Sequence, residues 1–163
     1  MILSAQTIMR MRLVSPLVDK TVMNGKSYGL SACGYDIRCK QSVLLSSPDA
    51  RVIDARLQRT ARSFELASTV EYFNIPDNVC GIVHDKLSWA RLGLAVQNTV
   101  LEPGWRGYLT LELSNHSPAP LYIQEGEPIA QVVFHFLDEP TMRPYNGKYQ
   151  DQPDYPVPHI EEK

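Results

Sequence analysis

Hydrophobic and polar residues alternate along several short stretches of this chain, and that two-residue period is typical of β-strands. In one stretch, Tyr35, Ile37 and Cys39 alternate with Asp36 and Arg38. The two sets of side chains point to opposite faces of a sheet when the segment is extended. The pattern therefore predicts a strand here, in which the carboxylate of Asp36 pairs with Arg38 or with another cation.

The alternation between residues 109 and 113 carries a candidate functional group. Leu109, Leu111 and Leu113 alternate there with Thr110 and Glu112. The predicted strand has one apolar face and carries Glu112 on the opposite face. The carboxylate of Glu112 then either meets solvent, as most strand carboxylates do, or lines a cavity.

Other stretches predict further short strands, separated by turns rich in Gly, Pro, Asn and Asp. The strands are predicted at Phe64–Phe73, Val79–Val83, Leu121–Ile123 and Ile129–Phe136. The turns and loops are predicted at Asn24–Gly25, Ser46–Asp49, Ile75–Asn78, Glu102–Gly107, Pro118–Pro120 and Glu125–Glu127. Near the N-terminus, Ser4 is predicted to cap a short helix, Ala5–Arg12. This pattern favours a mainly β fold, a barrel or a sandwich.

The length of 163 residues predicts one domain, spanning residues 1–163, and no internal repeat is visible. Residues 138–163 contain five prolines and are predicted to form an irregular tail. A net charge of -2 argues against a nucleic-acid-binding protein. No apolar run reaches the roughly 20 residues of a membrane span, and no signal peptide is recognised. Three cysteines without metal-ligand spacing favour reduced thiols and a cytoplasmic protein.

Two groups of residues suit the binding of an anion. Lys86, Ser88 and Arg91 place two cations and a hydroxyl near a predicted tight turn, as a polyphosphate requires. The tail adds donors for phosphate or base at Arg143, Tyr145, Lys148, Tyr149 and Gln152. The alternative interpretation is that the cations are ordinary surface charges and the tail a disordered terminus.

Five segments resemble, in the same order, segments of dCTP deaminases, which share a superfamily with the trimeric dUTPases. They are SYGLSACGYDIRC (Ser27–Cys39), STVEYFNIP (Ser68–Pro76), DKLSWARLGL (Asp85–Leu94), EPGWRGYLTLELSN (Glu102–Asn115) and GKYQDQ (Gly147–Gln152). The resemblance implies a distorted β-barrel or jelly roll of the dUTPase-like (β-clip) type with a short N-terminal helix. It also implies a homotrimer whose sites are completed by neighbouring subunits, with Asp36 helping to build the interface and the site.

The implied reaction is the hydrolysis of dCTP to dUTP and ammonia. Most nucleobase deaminases activate water with zinc, through an H-x-E and a P-C-x-x-C motif. This pair of motifs does not occur here: His159–Glu161 matches H-x-E, but the chain has no P-C-x-x-C, and His84, His116, His135 and His159 show no ligand spacing. A route without zinc needs a carboxylate that accepts and then returns a proton. Glu112 matches the family's catalytic glutamate.

The other roles implied by the resemblance are assigned position by position. Catalysis is expected from Glu112, Arg91 and Ser88. Nucleotide contacts are expected from Lys86, Leu87, Ser88, Trp89, Ala90, Arg91, Glu102, Thr110, Leu111, Glu112, Gln131, Tyr145, Lys148 and Gln152. Glu102 takes the place of the acid that meets the deoxyribose 3′-hydroxyl. Mg²⁺ is expected on the triphosphate, the tail is expected to close over the nucleotide as a lid, and regulation by dTTP is left open.

Two departures from the family pattern keep alternatives open. Leu87 stands where the family usually has a serine that helps to hold the phosphates and the catalytic water. The segment from Arg91 to Glu102 is also shorter than in many members, which alters the base pocket and could admit a modified pyrimidine. The alternatives are a dUTP or dCTP diphosphatase, a bifunctional enzyme that gives dUMP, and a nucleotide-binding homologue with impaired catalysis.

Overall fold

The structure, a computed structural model, describes residues 1–48, 52–54 and 59–161, with only the backbone at 52–54 and 59–61. Within these residues the helices are α1 (Ala5–Met11) and α2 (Leu87–Ala90). The strands are β1 (Val14–Ser15), β2 (Thr21–Met23), β3 (Lys26–Ser31), β4 (Gly34–Arg38), β5 (Val43–Leu45), β6 (Val52–Asp54), β7 (Arg59–Ala61), β8 (Phe64–Asn74), β9 (Val79–Asp85), β10 (Leu94–Val96), β11 (Val100–Leu101), β12 (Arg106–Asn115), β13 (Leu121–Ile123) and β14 (Pro128–Phe136).

Two antiparallel sheets enclose one hydrophobic core. The larger sheet has the order β11-β9-β14-β4-β3-β2, and the smaller has the order β1-β8-β12-β10. Tyr35 and Phe134 of the larger sheet and Phe73, Leu111 and Leu113 of the smaller one are fully buried in the same cluster. The mainly β fold with one short N-terminal helix is therefore as predicted.

A buried ion pair joins the two sheets. Glu71 of β8 is fully buried, and its Oε1 lies 2.7 Å from Nε of Arg38 on β4. The main-chain N–H of Arg38 donates to the other carboxylate oxygen over 2.9 Å. Burial raises the pKa of Glu71, while the contacts with Arg38 lower it. Arg38 therefore pairs with Glu71 rather than with Asp36, which has another partner described below.

The predicted elements mostly agree with the observed ones, with differences at their ends. The N-terminal helix ends at Met11 because Arg12 adopts a left-handed conformation with φ 53°. Ser4 occupies the N-cap position, but its hydroxyl makes no capping bond, which corrects the prediction. The amides of Thr7 and Ile8 donate instead to the main-chain carbonyl of Ser4. The prediction missed the short strands β1, β2, β3, β5, β6, β7, β10 and β11, and Asp49 of the predicted loop lies outside the described residues.

A bulge in β12 changes the expected alternation. Leu111 and Leu113 are buried in the core, as predicted. The register to β8 shifts between Tyr108 and Thr110, and the N–H of Leu109 donates to Oγ1 of Thr69 rather than to a strand carbonyl. As a result Leu109 is only half-buried and lines a cavity together with Thr110 and Glu112.

The C-terminal segment from 138 to 161 contains no helix or strand, as its prolines predict, and residues 162–163 lie outside the described part. It returns along β12. The N–H of Asp151 donates to the carbonyl of Arg106 over 2.9 Å, and the N–H of Tyr108 donates to the carbonyl of Gln152 over 3.0 Å. The indole N–H of Trp105 donates to the carbonyl of Tyr149 over 2.7 Å. The tail is thus attached beside the strand that carries Glu112.

Candidate functional site

The candidate site begins where β10 leaves the edge of β12. The two strands pair from Leu94 opposite Asn115 to Val96 opposite Leu113. After Val96 the chain turns away and forms β11, which pairs with β9 in the other sheet. This departure removes the strand that would otherwise cover Thr110 and Glu112.

Two side-chain amides supply hydrogen-bond partners to the exposed edge of β12. Nδ2 of Asn98 donates to the carbonyl of Thr110 over 2.7 Å, and the N–H of Glu112 donates to Oδ1 of Asn98 over 3.2 Å. Oε1 of Gln152 accepts the N–H of Thr110 over 3.2 Å. These hydrogen bonds satisfy the main-chain groups of the edge. Because an amide side chain is smaller than a strand, space remains beside them.

That space is a cavity of about 560 Å³, here called the main cavity. Its lining residues are Phe64, Leu66, Asn98, Thr99, Val100, Leu101, Glu102, Trp105, Leu109, Thr110, Glu112, Tyr145, Tyr149, Gln152, Val157 and His159. Its volume and its mixture of apolar, aromatic and a few polar side chains are typical of a small-molecule site. Of the predicted nucleotide-binding residues, Glu102, Thr110, Glu112, Tyr145 and Gln152 meet here.

Glu112 is the chemically distinctive residue of the main cavity. Its side chain is half-buried, and within the described residues its carboxylate has no hydrogen-bond or ion-pair partner. Loss of solvent around this carboxylate raises its pKa. A carboxylate with a raised pKa and free oxygens can take a proton from water and return it to a ligand.

The predicted phosphate-binding residues line a different cavity, here called the lysine groove, of about 350 Å³. Its lining residues are Gly25, Lys26, Ser27, Asp36, Asp85, Lys86, Leu87, Ser88 and Gln131. Nζ of Lys86 lies 2.9 Å from Oδ2 of Asp36, and Nε2 of Gln131 lies 3.2 Å from Oδ1 of the same residue. Asp36 is therefore paired with a cation, as predicted, and that cation is Lys86.

Ser88 and Leu87 differ in how they meet the lysine groove. The hydroxyl oxygen of Ser88 is buried and has no hydrogen-bond partner, so it remains available to a ligand oxygen. The side chain of Leu87 is 66% exposed, although leucine gains from burial. The position where the family usually has a serine thus presents an apolar side chain to solvent.

The remaining predicted residues line neither cavity. Trp89 and Leu111 are buried in the core, and the indole N–H of Trp89 donates to the carbonyl of Pro128 over 2.8 Å. The side chains of these two residues thus face the core, and their expected contacts with a nucleotide stay predictions. Ala90, Arg91 and Lys148 are exposed, and Nζ of Lys148 lies 5.3 Å from the ring centre of Tyr149.

The sequence analysis missed several residues of the main cavity. Asn98 and Trp105 lie within or beside segments that were analysed, but nothing in their pattern indicated that they face a ligand. Tyr149, one of the donors predicted in the tail, also lines this cavity. Val157 and His159 lie beyond the segments that resemble the family. The N–H of Val157 donates to Oγ1 of Thr110 over 3.0 Å, which brings the end of the tail to the cavity wall.

Neither cavity is arranged to hold a metal ion through protein side chains alone. Among the residues that the structure describes, no group of three or more His, Cys, Asp or Glu side chains is placed to hold one. In the lysine groove Asp36 is engaged by Lys86 and Gln131, and Oδ1 of Asp85 accepts the N–H of Val96. No helix in the described part of the chain is long and apolar enough to cross a membrane.

The raised pKa of Glu112 predicts a pH-dependent gain in stability from Glu112→Gln. The folded chain holds the proton more tightly than the unfolded chain, so ionisation at neutral pH costs folding free energy that glutamine avoids. We expect the variant to melt at a higher temperature at pH 7. The gain should vanish below about pH 4, where glutamate is protonated in the unfolded chain as well. Thermal unfolding across this pH range measures it, with Glu139→Gln, an exposed carboxylate, as the control for net charge. A gain that is the same at pH 4 and pH 7 would contradict the prediction.

Several known proteins resemble this chain in sequence. The family described as dCTP deaminase-like matches residues 2–137. A dCTP deaminase of Campylobacter concisus is 38% identical, over 91% of this chain and 90% of its own. A dCTP deaminase of Protochlamydia amoebophila is 40% identical, over 86% of this chain and 87% of its own.

Solved structures with a similar fold include both enzyme types of the superfamily. The 2′-deoxycytidine 5′-triphosphate deaminase of Agrobacterium tumefaciens superposes with a TM-score of 0.57 at 17% identity, over 82% of this chain and 47% of its own. The dUTPase of phage phi11 of S. aureus superposes with a TM-score of 0.55 at 16% identity, over 80% and 92%. At these identities the likeness concerns the fold, which is that of the dUTPases, as predicted. The family match and the sequence identities over nearly the whole chain show that this protein belongs to the dCTP deaminase-like family.

Proposed function

We propose that this chain is a dCTP deaminase, which hydrolyses dCTP to dUTP and ammonia. The observation that carries the proposal is the unpartnered, half-buried carboxylate of Glu112, whose raised pKa suits proton transfer inside a cavity of about 560 Å³. The relatives of this chain from Campylobacter concisus and Protochlamydia amoebophila are both dCTP deaminases.

In the proposed mechanism Glu112 activates a water molecule for attack on C4 of cytosine. As the water O–H bond breaks, its proton passes to the carboxylate and from there to N3, while the new C4–O bond forms. Glu112 then takes the remaining proton from the C4 hydroxyl and gives it to the 4-amino group. The C4–N bond breaks as the C4=O bond forms, and ammonia leaves with the electrons of the C4–N bond. The residue acts first as a base and then as an acid, which a pKa above that of an ordinary glutamate favours.

The second part of the proposal is that the active site forms between two subunits of a homotrimer. The main cavity and the lysine groove share no lining residue, so in one subunit the carboxylate and the predicted phosphate-binding cations face different spaces. The guanidinium of exposed Arg91 makes no hydrogen bond or ion pair within the described residues. A neighbouring subunit that places its lysine groove and Arg91 against the main cavity would complete the site, as closed oligomers commonly do.

Magnesium and the tail have supporting roles in this proposal. Mg²⁺, bound to the triphosphate, would neutralise phosphate charge, while Lys86, Ser88 and Gln131 contact the phosphates. The tail closes over the nucleotide through Tyr145 and Gln152, which already line the main cavity. A cytoplasmic location and regulation by dTTP stay predictions.

Incubation with dCTP tests the proposed function directly. We expect release of one ammonia for each dCTP consumed, with dUTP as the product. Glu112→Gln should still bind dCTP, because it keeps the shape of the site, but should lose about a thousandfold or more in turnover because it cannot accept a proton. Near-normal turnover of that variant would remove Glu112 from the mechanism.

Parallel incubation with dUTP distinguishes the alternatives. Pyrophosphate release from dUTP would indicate a diphosphatase, in which Glu102, a residue of the same cavity as Glu112, would activate water for attack on phosphorus. Release of neither ammonia nor pyrophosphate would indicate an impaired homologue. Recovery of ammonia release by Leu87→Ser would then trace the impairment to the missing serine.

Mixing two inactive variants tests whether the site is shared between subunits. Arg91→Ala and Glu112→Gln are each expected to be inactive alone. After joint unfolding and refolding, random trimers should recover about a quarter of wild-type activity, because some sites combine an intact Arg91 with an intact Glu112 from its neighbour. Unfolding and refolding each variant separately before mixing is the control. A monomer in sedimentation, or no recovery, would contradict the shared site.

Limited proteolysis tests the lid. Lys148 is exposed in a segment without regular structure, so a lysine-specific protease should cut there in the free protein. The Glu112→Gln variant, which is expected to bind dCTP without turnover, is digested with and without saturating dCTP and Mg²⁺. If the tail closes over the nucleotide, dCTP should slow this cut several-fold. Equal cutting with and without nucleotide would count against a lid.

A further inference from the structure

Along one edge of β12, hydrogen bonds from side chains replace the hydrogen bonds that a neighbouring strand would make. The antiparallel register pairs Val96 with Leu113, so a longer β10 would pair Gln97 with Glu112 and Thr99 with Thr110. Only the first of the continuing bonds is made by the main chain, from the N–H of Gln97 to the carbonyl of Glu112 over 2.9 Å. The next two main-chain groups of β12 need other partners.

The amide of Asn98 supplies both partners. Its Oδ1 accepts the N–H of Glu112 over 3.2 Å, in place of the carbonyl of Gln97. Its Nδ2 donates to the carbonyl of Thr110 over 2.7 Å, in place of the N–H of Thr99. One planar side chain thus supplies the acceptor and the donor that a continued strand would have supplied from two successive peptide groups. The orientation of the amide is fixed, because one partner is a donor and the other an acceptor.

The two bonds enclose the part of β12 that faces the main cavity. They reach the main chain on either side of Leu111, whose side chain is fully buried in the core on the other face. The backbone that carries Thr110 and Glu112 is therefore held from the core side by packing and from the strand edge by Asn98. Asn98 itself lines the main cavity beside Glu112.

We propose that Asn98 is a positioning residue for Glu112: its amide replaces a missing strand, holds the backbone that carries the carboxylate, and leaves the edge open for the nucleotide base. This inference rests on the proposed deaminase function. A displacement of a reacting group by about 1 Å can lower the rate by about a hundredfold. The bonds from Asn98 therefore act on the chemical step rather than on the binding of the triphosphate.

Steady-state kinetics with dCTP test this role in Asn98→Ala and in the nearly isosteric Asn98→Asp. Both variants lose the donor to the Thr110 carbonyl, and aspartate keeps an acceptor for the N–H of Glu112. We expect kcat to fall about tenfold to a hundredfold in Asn98→Ala and at least as much in Asn98→Asp, whose second carboxylate oxygen faces the Thr110 carbonyl oxygen, with KM changed less than about threefold in both. Gln97→Ala is the matched control: it changes the neighbouring exposed side chain but keeps the main-chain bond to Glu112, and it should retain wild-type kcat.

Amide hydrogen exchange gives a second readout that does not require turnover. The N–H of Glu112 should exchange at least several-fold faster in Asn98→Ala than in the wild type, while amides of Leu113 and Phe73 in the buried strands keep their rates. An unchanged kcat would overturn the proposal. A variant that loses substrate affinity and melting temperature together with kcat would also overturn it, because such a pattern would indicate a merely structural residue. A wild-type chain that releases no ammonia would remove the proposed function, and the positioning role with it, even where the exchange data still report the two bonds.

Discussion

Every main-chain N–H and carbonyl that is buried away from water needs a hydrogen-bond partner, and this requirement shapes the site along one edge of β12. A neighbouring strand would meet it and fill the space. Here β10 ends at Val96, and the amides of Asn98 and Gln152 meet it instead. The edge is satisfied but left uncovered, and the main cavity lies where the strand is missing. The position of Glu112 beside free space follows from this arrangement.

The two sheets keep that edge in place from the opposite side. Leu111 and Leu113 fix one face of β12 in the core, and the buried pair of Glu71 and Arg38 ties β8, the neighbour of β12, to the larger sheet. A charge pair without solvent is favourable only with close geometry, so it restricts how the sheets can slide. The bulge beside Leu109 adds a second deviation from a regular ladder, on the side of β12 that pairs with β8. Regular packing on one face thus supports irregular hydrogen bonding at the site.

The sequence predicted the parts of this structure that depend on periodic patterns. Strands such as β4, β8 and β12 were visible because apolar residues repeat every second position, and Glu112 was placed on the non-leucine face of its strand by the same rule. Leu109 could not be placed, since a bulge depends on the partner strand and not on the local pattern. The strand edge was equally hidden: Asn98 acts through residues that lie 12 to 14 positions further along the chain. Lys86 and Glu112 line different cavities. This separation depends on tertiary structure and cannot be predicted from a local sequence pattern.

The attachment of the tail to Thr110 has a consequence for how this fold can diversify. Val157 and His159 form part of the cavity wall, yet their segment belongs to neither sheet and contributes nothing to the buried core. Insertions, deletions and substitutions between 155 and 161, beyond the bond from the buried Ser68 hydroxyl to the carbonyl of Asp154, can therefore reshape the wall without disturbing the scaffold. In this architecture the most variable kind of backbone adjoins the reactive carboxylate, so new ligand preferences can arise at little cost to folding.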